Sequence, residues 1–300
     1  MKKTDKHFKT NLNKQKKFIE KELKKILIGI DAPKILKEVM VYSVLNGGKR
    51  IRPFIVAEVS SLYSVKPSIF KYPAMAVEMA HSFSLIYDDL PCMDDDDIRR
   101  GNPSVHVKFN EANALLGGAS LLTYAYSILG SKNFYIEEKK KLLLLENFTS
   151  SIGHEGMLAG QFLDLEAESP KLKLSLNNLS KIQSKKTGLL IAFCCFAGGV
   201  LGNASEKELN ALYDFGMILG RIFQITDDIL DKEGDEKTLG KKVNKDDAHN
   251  KATIIRAKGI KFAKNLLKKD VSLAKKKLFD LNKDTDILSD LVDYVYSRTS

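Results

Sequence analysis

Between His81 and Gly101 the sequence reads HSFSLIYDDLPCMDDDDIRRG. Six aspartates, Asp88, Asp89, Asp94, Asp95, Asp96 and Asp97, fall within ten positions, and Arg99 and Arg100 follow at once. A second acidic set, Asp227, Asp228 and Asp231, closes the apolar pattern RIFQITDDILD. Positions 227 and 231, four apart, share one helix face. Carboxylates crowded at the end of an apolar element repel one another and need a cation to be kept together. Magnesium suits both sets: it prefers oxygen ligands, keeps several waters and bridges one or two carboxylates to a phosphate. Cations stand where such a phosphate would want them. Lys49, Arg50 and Arg52 lie in GGKRIRP, a glycine turn leading to a helix N-terminus; Arg99 and Arg100 end the first acidic block; Lys186 lies in KKTG, and Lys241 in a charged loop. With apolar residues beneath both acidic sets, the chemistry is that of a polyanionic head carrying a hydrocarbon tail. Each piece also has a plainer reading. An acidic set can be a solvated cap, GGKRIRP a basic loop, KKTG a snorkelled surface pair, and His81 a satisfied core histidine.

The elements that position these residues are read as helices. Residues 5 to 30 carry Phe8, Leu12, Ile19, Leu23, Ile26, Leu27 and Ile30 on one amphipathic stripe. Ile35 to Leu45 stops at Asn46-Gly47-Gly48, and Pro53 suits the first turn of the next helix. Pro67 and Pro73 bracket a connection before a helix from Ala74 to Leu90, ended by Pro91; Ser84 lies one turn and His81 two turns behind Asp88 on it. After Pro103 the periodicity runs to Leu116, is interrupted at Gly117-Gly118, and continues to Leu129. An element near Ile152 to Leu165 carries Gly153, Gly156 and Gly160 as a smooth stripe, followed by Gln161 and Asp164, read as a polar edge. Leu189 to Leu201 is a buried core helix, residues 206 to 231 form a long helix, Lys232 to Lys245 is a loop, and three amphipathic segments follow Asp246. No run alternates with period two between hairpin signals. The chain is therefore expected to be all-α, one domain over residues 1–300, built as a large helical bundle.

Composition narrows the partners. The net charge of +10 invites nucleic acid, membrane surfaces or anionic substrates, but much of the excess is lysine spread over helix faces, ten before Ile26 alone. Cys92, Cys194 and Cys195 have neither a disulfide framework nor metal spacing, which fits a reducing cytoplasm, with the adjacent pair packed as small hydrophobes. The apolar run from Leu189 to Gly202 is shorter than a membrane span needs, and no secretory signal is visible.

GGKRIRP, DDLPCMDDDDIRRG, KKTG and TDDILDKEGDEKTLGK, in this order over nearly the whole chain, resemble the trans-type isoprenyl diphosphate synthases, most closely bacterial farnesyl diphosphate synthases. The resemblance implies an isoprenoid-synthase bundle around a deep central cavity, with two aspartate motifs facing each other across it, in a cytoplasmic homodimer. It implies that Asp88, Asp89, Asp94, Asp227, Asp228 and Asp231 hold Mg²⁺, three ions per active site once a diphosphate is bound. Arg99, Lys186 and Lys241 would contact the allylic diphosphate. Lys49, Arg52, His81 and Arg100 would bind isopentenyl diphosphate, Thr187 and Gln224 would face the developing allylic cation, and Lys251 matches a further basic position. The implied reaction ionises the allylic C–O bond, lets the isopentenyl double bond attack, and loses a proton, with pyrophosphate as its acceptor; no protein nucleophile is needed. Family experience also ties product length to an aromatic residue five positions before the first aspartate, here Phe83, together with two extra residues in the motif, here Pro91-Cys92. That points to the fifteen-carbon product, although Ser84 lies more directly beneath Asp88. Two departures stand out: Tyr87 where His is common, and Asn244 where Gly is usual.

The rival readings are a geranylgeranyl or longer-chain synthase of the same family and a non-catalytic basic helical protein that binds polyanions or membranes. Terpene cyclases fit poorly because their second motif usually mixes Asn, Ser and Glu. Membrane prenyltransferases would need spans. The expectation is therefore an enzyme acting on isopentenyl and allylic diphosphates, with no nucleic acid partner and no membrane span.

Overall fold

The computed structural model describes residues 3–167, 175–233 and 252–298. These residues are helical almost throughout, so the chain is all-α, and they pack as two compact units, residues 1–145 and 146–300.

In the first unit α1 (Lys3–Ile28) buries the stripe read from sequence: Phe8, Leu12, Ile19, Leu23 and Leu27 are all in the core. Phe8 meets Phe54 of α3 (Ile51–Ser61) edge-on, with ring centroids 5.6 Å apart. Between them α2 (Lys34–Leu45) ends in Asn46, Gly47 and Gly48, the two glycines at φ +80° and +111°, where a side chain would be strained. α4 (Pro67–Asp88) begins earlier than its pattern suggested and runs through Pro73. Pro67 sits where a missing N–H costs nothing. Burial of Phe70, 2% exposed, anchors the first turn, so loss of one backbone bond at Pro73 does not end the helix.

α5 (Val105–Phe109) and α6 (Glu111–Leu129) are separated at Asn110, whose side chain accepts a bond from Asn113 N at 2.9 Å. Gly117-Gly118 does not interrupt α6. A Cβ on Gly117 would lie 2.2 Å from Val39 Cγ1, and one on Gly118 would lie 2.6 Å from the Tyr87 ring. The glycines serve close approach of α2 and α4, a role that local periodicity cannot reveal. One further element was not anticipated: β1 (Ile98–Arg99) pairs antiparallel with β2 (Asn102–Pro103). Arg100 and Gly101 make the turn at φ +56° and +77°, the geometry of a tight hairpin.

α7 (Glu138–Ile152) leads from the first unit into the second. Gly153 and Gly156 lie in the turn after it, so of the expected glycine stripe only Gly160 stands on the helix α8 (Met157–Ala167). α9 (Leu176–Gln183) passes through a π-helical turn, Ser184–Gly188, into α10 (Leu189–Leu201). This run is long and apolar enough to cross a membrane by length and composition, yet 72% of its apolar window is buried within the protein, the position of a core helix. Cys194 and Cys195 are fully buried in it, and Phe193 packs on Phe148 at 5.0 Å. α11 (Glu206–Glu233) lies along α10 and α13 (Ile260–Phe279), and α12 (Ile254–Lys258) and α14 (Asp286–Ser297) complete the unit.

One charged group belongs to the fold and not to the surface. Arg50 is 2% exposed and left-handed at φ +56°; it donates to Glu78 Oε1 at 2.6 Å, Glu20 Oε1 at 3.1 Å and Val44 O at 2.7 Å. Removing one partner of a buried pair costs more than the pair contributes, because the other charge stays desolvated. Glu78→Ala is expected to lower the unfolding free energy by about 3 kcal/mol, read from the urea midpoint; an unchanged midpoint would contradict this role.

Candidate active site

The first acidic set sits where α4 ends. The segment after Asp88 folds back on the helix end: Asp94 N donates to Asp88 O at 2.9 Å, Asp95 N to Leu90 O at 3.1 Å and Asp96 N to Asp89 O at 3.2 Å. Pro91 and Cys92 occupy the exposed turn that this return requires. Asp88 and Asp94 are half-buried, whereas Asp89 is 2% exposed. Burial raises the pKa of Asp89, and the two bonds from Arg99 Nε, at 2.9 and 3.2 Å, work against that shift. Asp89 and Arg99 thus form one ion pair inside the site, with Asp96 Oδ2 3.4 Å from Arg99 Nη2. A small cavity opens here, lined in part by Asn46, Asp89, Arg99 and Arg100.

The hairpin turn sends Arg100 toward the glycine loop. Its Nη1 donates to Gly47 O at 2.6 Å, and a Cβ on Gly48 would stand 2.7 Å from the guanidinium carbon. The loop therefore has glycine at 48 because an arginine lies flat on it. Of the three cations in GGKRIRP, Arg50 turns inward, Lys49 is exposed and Arg52 stands in the first turn of α3. His81, half-buried on α4, completes the group.

Burial, then the charges of Arg52, Arg100, Arg50 and Arg99, hold its pKa well below the ordinary imidazole value. The ring is neutral at pH 7. A histidine depressed in the folded state binds its proton more tightly when unfolded, so its contribution to stability is intact above about pH 6.5 and is lost as pH falls below it. His81→Asn is expected to flatten part of the fall in melting temperature between about pH 6.5 and 5; parallel wild-type and variant curves would refute the assignment.

Beneath Asp88, Phe83 is 3% exposed and lies against Tyr87, ring centroids 4.6 Å apart. Tyr87 donates to Leu115 O at 3.2 Å, across Gly118. Ser84 turns its hydroxyl back to His81 O at 2.9 Å. On this helix the bulk below the aspartates is aromatic and is shared by two residues, of which the sequence reading tied only Phe83 to product length.

In the second unit Asp227, Asp228 and Asp231 follow Gln224 on α11, with Asp227 exposed and Asp231 buried. Asp228 Oδ2 accepts from Ile254 N at 3.2 Å, and Asp227 Oδ1 takes Arg298 Nη2 at 2.5 Å. Arg298 also donates to Phe223 O at 3.0 Å and lies over the Phe223 ring. Lys186 and Thr187 lie in the π turn, Thr187 buried and Lys186 Nζ 2.6 Å from Asp164 Oδ2. Asp164 was read as a polar edge; nothing local to it in sequence signals a partner 22 positions away. Lys241, Asn244 and Lys251 lie outside the described residues. A cavity of about 200 Å3 between α7, α10 and α11 contains none of the residues singled out by sequence.

Among the described residues no three His, Cys, Asp or Glu side chains converge as an all-protein metal cage would require. The donor chemistry nevertheless fits magnesium: hard carboxylate oxygens in two sets, in the low ligand count of a site completed by water and a phosphate.

A family model described as polyprenyl synthetase matches residues 33–288. The chain is 40% identical to the farnesyl diphosphate synthase of Bacillus subtilis, over 95% of this chain and 96% of that one. It is also 35% identical to geranylgeranyl pyrophosphate synthase 4 of Arabidopsis thaliana, over 89% of this chain and 72% of the relative. Among solved structures, an FPP/GFPP synthase of Zymomonas mobilis superposes with a TM-score of 0.87 at 30% identity, covering 98% of this chain and 100% of that one.

Proposed function

The chain belongs to the polyprenyl synthetase family, and from that premise we propose that it condenses isopentenyl diphosphate with dimethylallyl and then geranyl diphosphate, releasing farnesyl diphosphate and pyrophosphate. The observation that carries the fifteen-carbon product is the Phe83–Tyr87 ring pair at the foot of the first aspartate set, Phe83 buried and Tyr87 half-buried. The family is of the magnesium-dependent type, and Asp88, Asp89, Asp94, Asp227, Asp228 and Asp231 would hold the metal, three ions with a diphosphate bound. Bound magnesium supplies positive charge that stabilises the departing diphosphate.

The chain's own residues do the rest. In the first unit Lys49, Arg52, Arg100 and neutral His81 hold the diphosphate of isopentenyl diphosphate, and Arg99 serves the allylic diphosphate. In the second unit Lys186 and Lys241 bind that diphosphate, with Lys251 as a further basic group. Preorganised cations of this kind lower the barrier because they need not reorganise as charge develops on the leaving group. Thr187 and Gln224 turn oxygen dipoles to the allylic carbon as its C–O bond breaks. The new C–C bond then forms, and the proton lost from the adduct goes to pyrophosphate. Water must be kept out, since it would quench the cation.

We further propose a cytoplasmic homodimer. In its support, α6 exposes Ala112, Leu115, Leu116 and Ala119 as one apolar stripe, Leu116 being 63% exposed.

The deciding experiment incubates the protein with Mg²⁺, dimethylallyl diphosphate and isopentenyl diphosphate and separates the dephosphorylated products by chain length. Farnesol should dominate. Geranylgeraniol as the main product would favour the longer-chain reading. No prenyl product, together with salt-sensitive binding to polyanions, would favour the non-catalytic one.

A further inference from the structure

The π turn Ser184–Gly188 is held in place from two sides. On one side stands α8: a Cβ on Gly160 would lie 2.1 Å from Lys186 N and 2.5 Å from its Cα, so the helix touches the turn backbone to backbone. On the other stands α11, where a Cβ on Gly220 would lie 2.6 Å from Gly188 Cα. Such turns insert one residue into a helix and redirect the side chains around it. Each clamping helix then presents a functional group one turn beyond its glycine. On α11 that group is Gln224, with Asp227 and Asp231 further along the same face. On α8 it is Asp164, which receives Lys186 Nζ at 2.6 Å with both side chains largely buried, 14% and 22% exposed.

We propose that Asp164 is a positioning residue for the reaction: it fixes the Lys186 ammonium over the glycine-clamped turn, so that a lysine with four rotatable carbons meets the allylic diphosphate in one place. Lysine carries a compact charge on a flexible stem, and a single carboxylate at its tip removes most of that freedom before substrate arrives. The proposal rests on the reading of Lys186 as a ligand of the allylic diphosphate. Asp164 itself touches no substrate in this account; it acts through Lys186.

The test is a double-mutant cycle on the full-length protein with magnesium, geranyl diphosphate and isopentenyl diphosphate. Asp164→Asn is expected to lower kcat/KM for geranyl diphosphate by about 10-fold or more while leaving KM for isopentenyl diphosphate within about 2-fold. In a Lys186→Gln background the same change should cost less than about 2-fold. Asp164→Glu, which restores the charge, should recover part of the loss, and Asp164→Ala replaces Asp164→Asn in the cycle if that variant does not fold. A loss from Asp164→Asn as large in Lys186→Gln as in wild type would overturn the proposal, since Asp164 would then act independently of the lysine. So would no loss at all where Lys186→Gln alone is impaired. If Lys186→Gln itself leaves geranyl diphosphate kinetics unchanged, the role of Lys186 fails first, and the positioning proposal with it.

Discussion

Asp88→Ala should reduce magnesium-dependent condensation of geranyl with isopentenyl diphosphate by roughly 10³-fold, in kcat as well as kcat/KM. The substitution leaves in place the main-chain bonds that close the segment, Asp94 N on Asp88 O, Asp95 N on Leu90 O and Asp96 N on Asp89 O. Asp88 is half-buried, so the substitution costs little stability, on the order of 1 kcal/mol or less. On the proposed reading it removes an oxygen ligand for the magnesium that would neutralise the leaving group. The matched control is Asp97→Asn, at a side chain 80% exposed, which should change turnover by less than about 3-fold. Thermal melts of both variants separate folding from chemistry. Retention of more than about a tenth of wild-type turnover by Asp88→Ala would remove Asp88 from the metal-binding set.

Phe83→Ala is expected to move the main product from fifteen to twenty carbons, raising the ratio of the longer to the shorter by about 10-fold or more. The deleted ring carries about six carbons, roughly one isoprene unit, so the space released matches one further condensation. The cost in stability is about 3 kcal/mol, because Phe83 is 3% exposed. Tyr87 sets the limit on this result. Its ring touches Phe83, and its hydroxyl is bonded to Leu115 O, which resists collapse into the vacated space. Ser84→Ala, whose hydroxyl only caps His81 O, should leave the distribution unchanged. If Phe83→Ala gives the wild-type distribution, the floor of the pocket lies elsewhere.

Much of this was legible in the chain because it is local. Helical periodicity gave the stripe of α1 and the long α11, and residue type gave the two acidic sets, the glycine turn and KKTG. What escaped were features decided by partners distant in sequence. Gly117-Gly118 looked like a break, since a glycine that admits Val39 and Tyr87 is locally indistinguishable from one that frees the backbone. In sequence Arg50 stands with Lys49 and Arg52 in one basic turn, and only Glu20 and Glu78, distant in the chain, separate it from them. Asp164 gained meaning only from Lys186, and the hairpin at Arg100-Gly101 has strands of two residues, too short for any alternation to register. Pro73 misled in the opposite direction: its local rule is sound, and tertiary burial overrode it.

The Asp89–Arg99 pair carries a thermodynamic consequence. Each partner is occupied by the other, so a metal that recruits the carboxylate releases the guanidinium, and an anion that recruits the guanidinium releases the carboxylate. Two ligands that each pay to open the same ion pair share that cost when they bind together. Linkage then requires positive heterotropic cooperativity, equal in both directions. Calorimetric titration of magnesium should show tighter binding with pyrophosphate present than without it, and Arg99→Gln should weaken that coupling. Neither ligand alone should then organise the site as well as the pair.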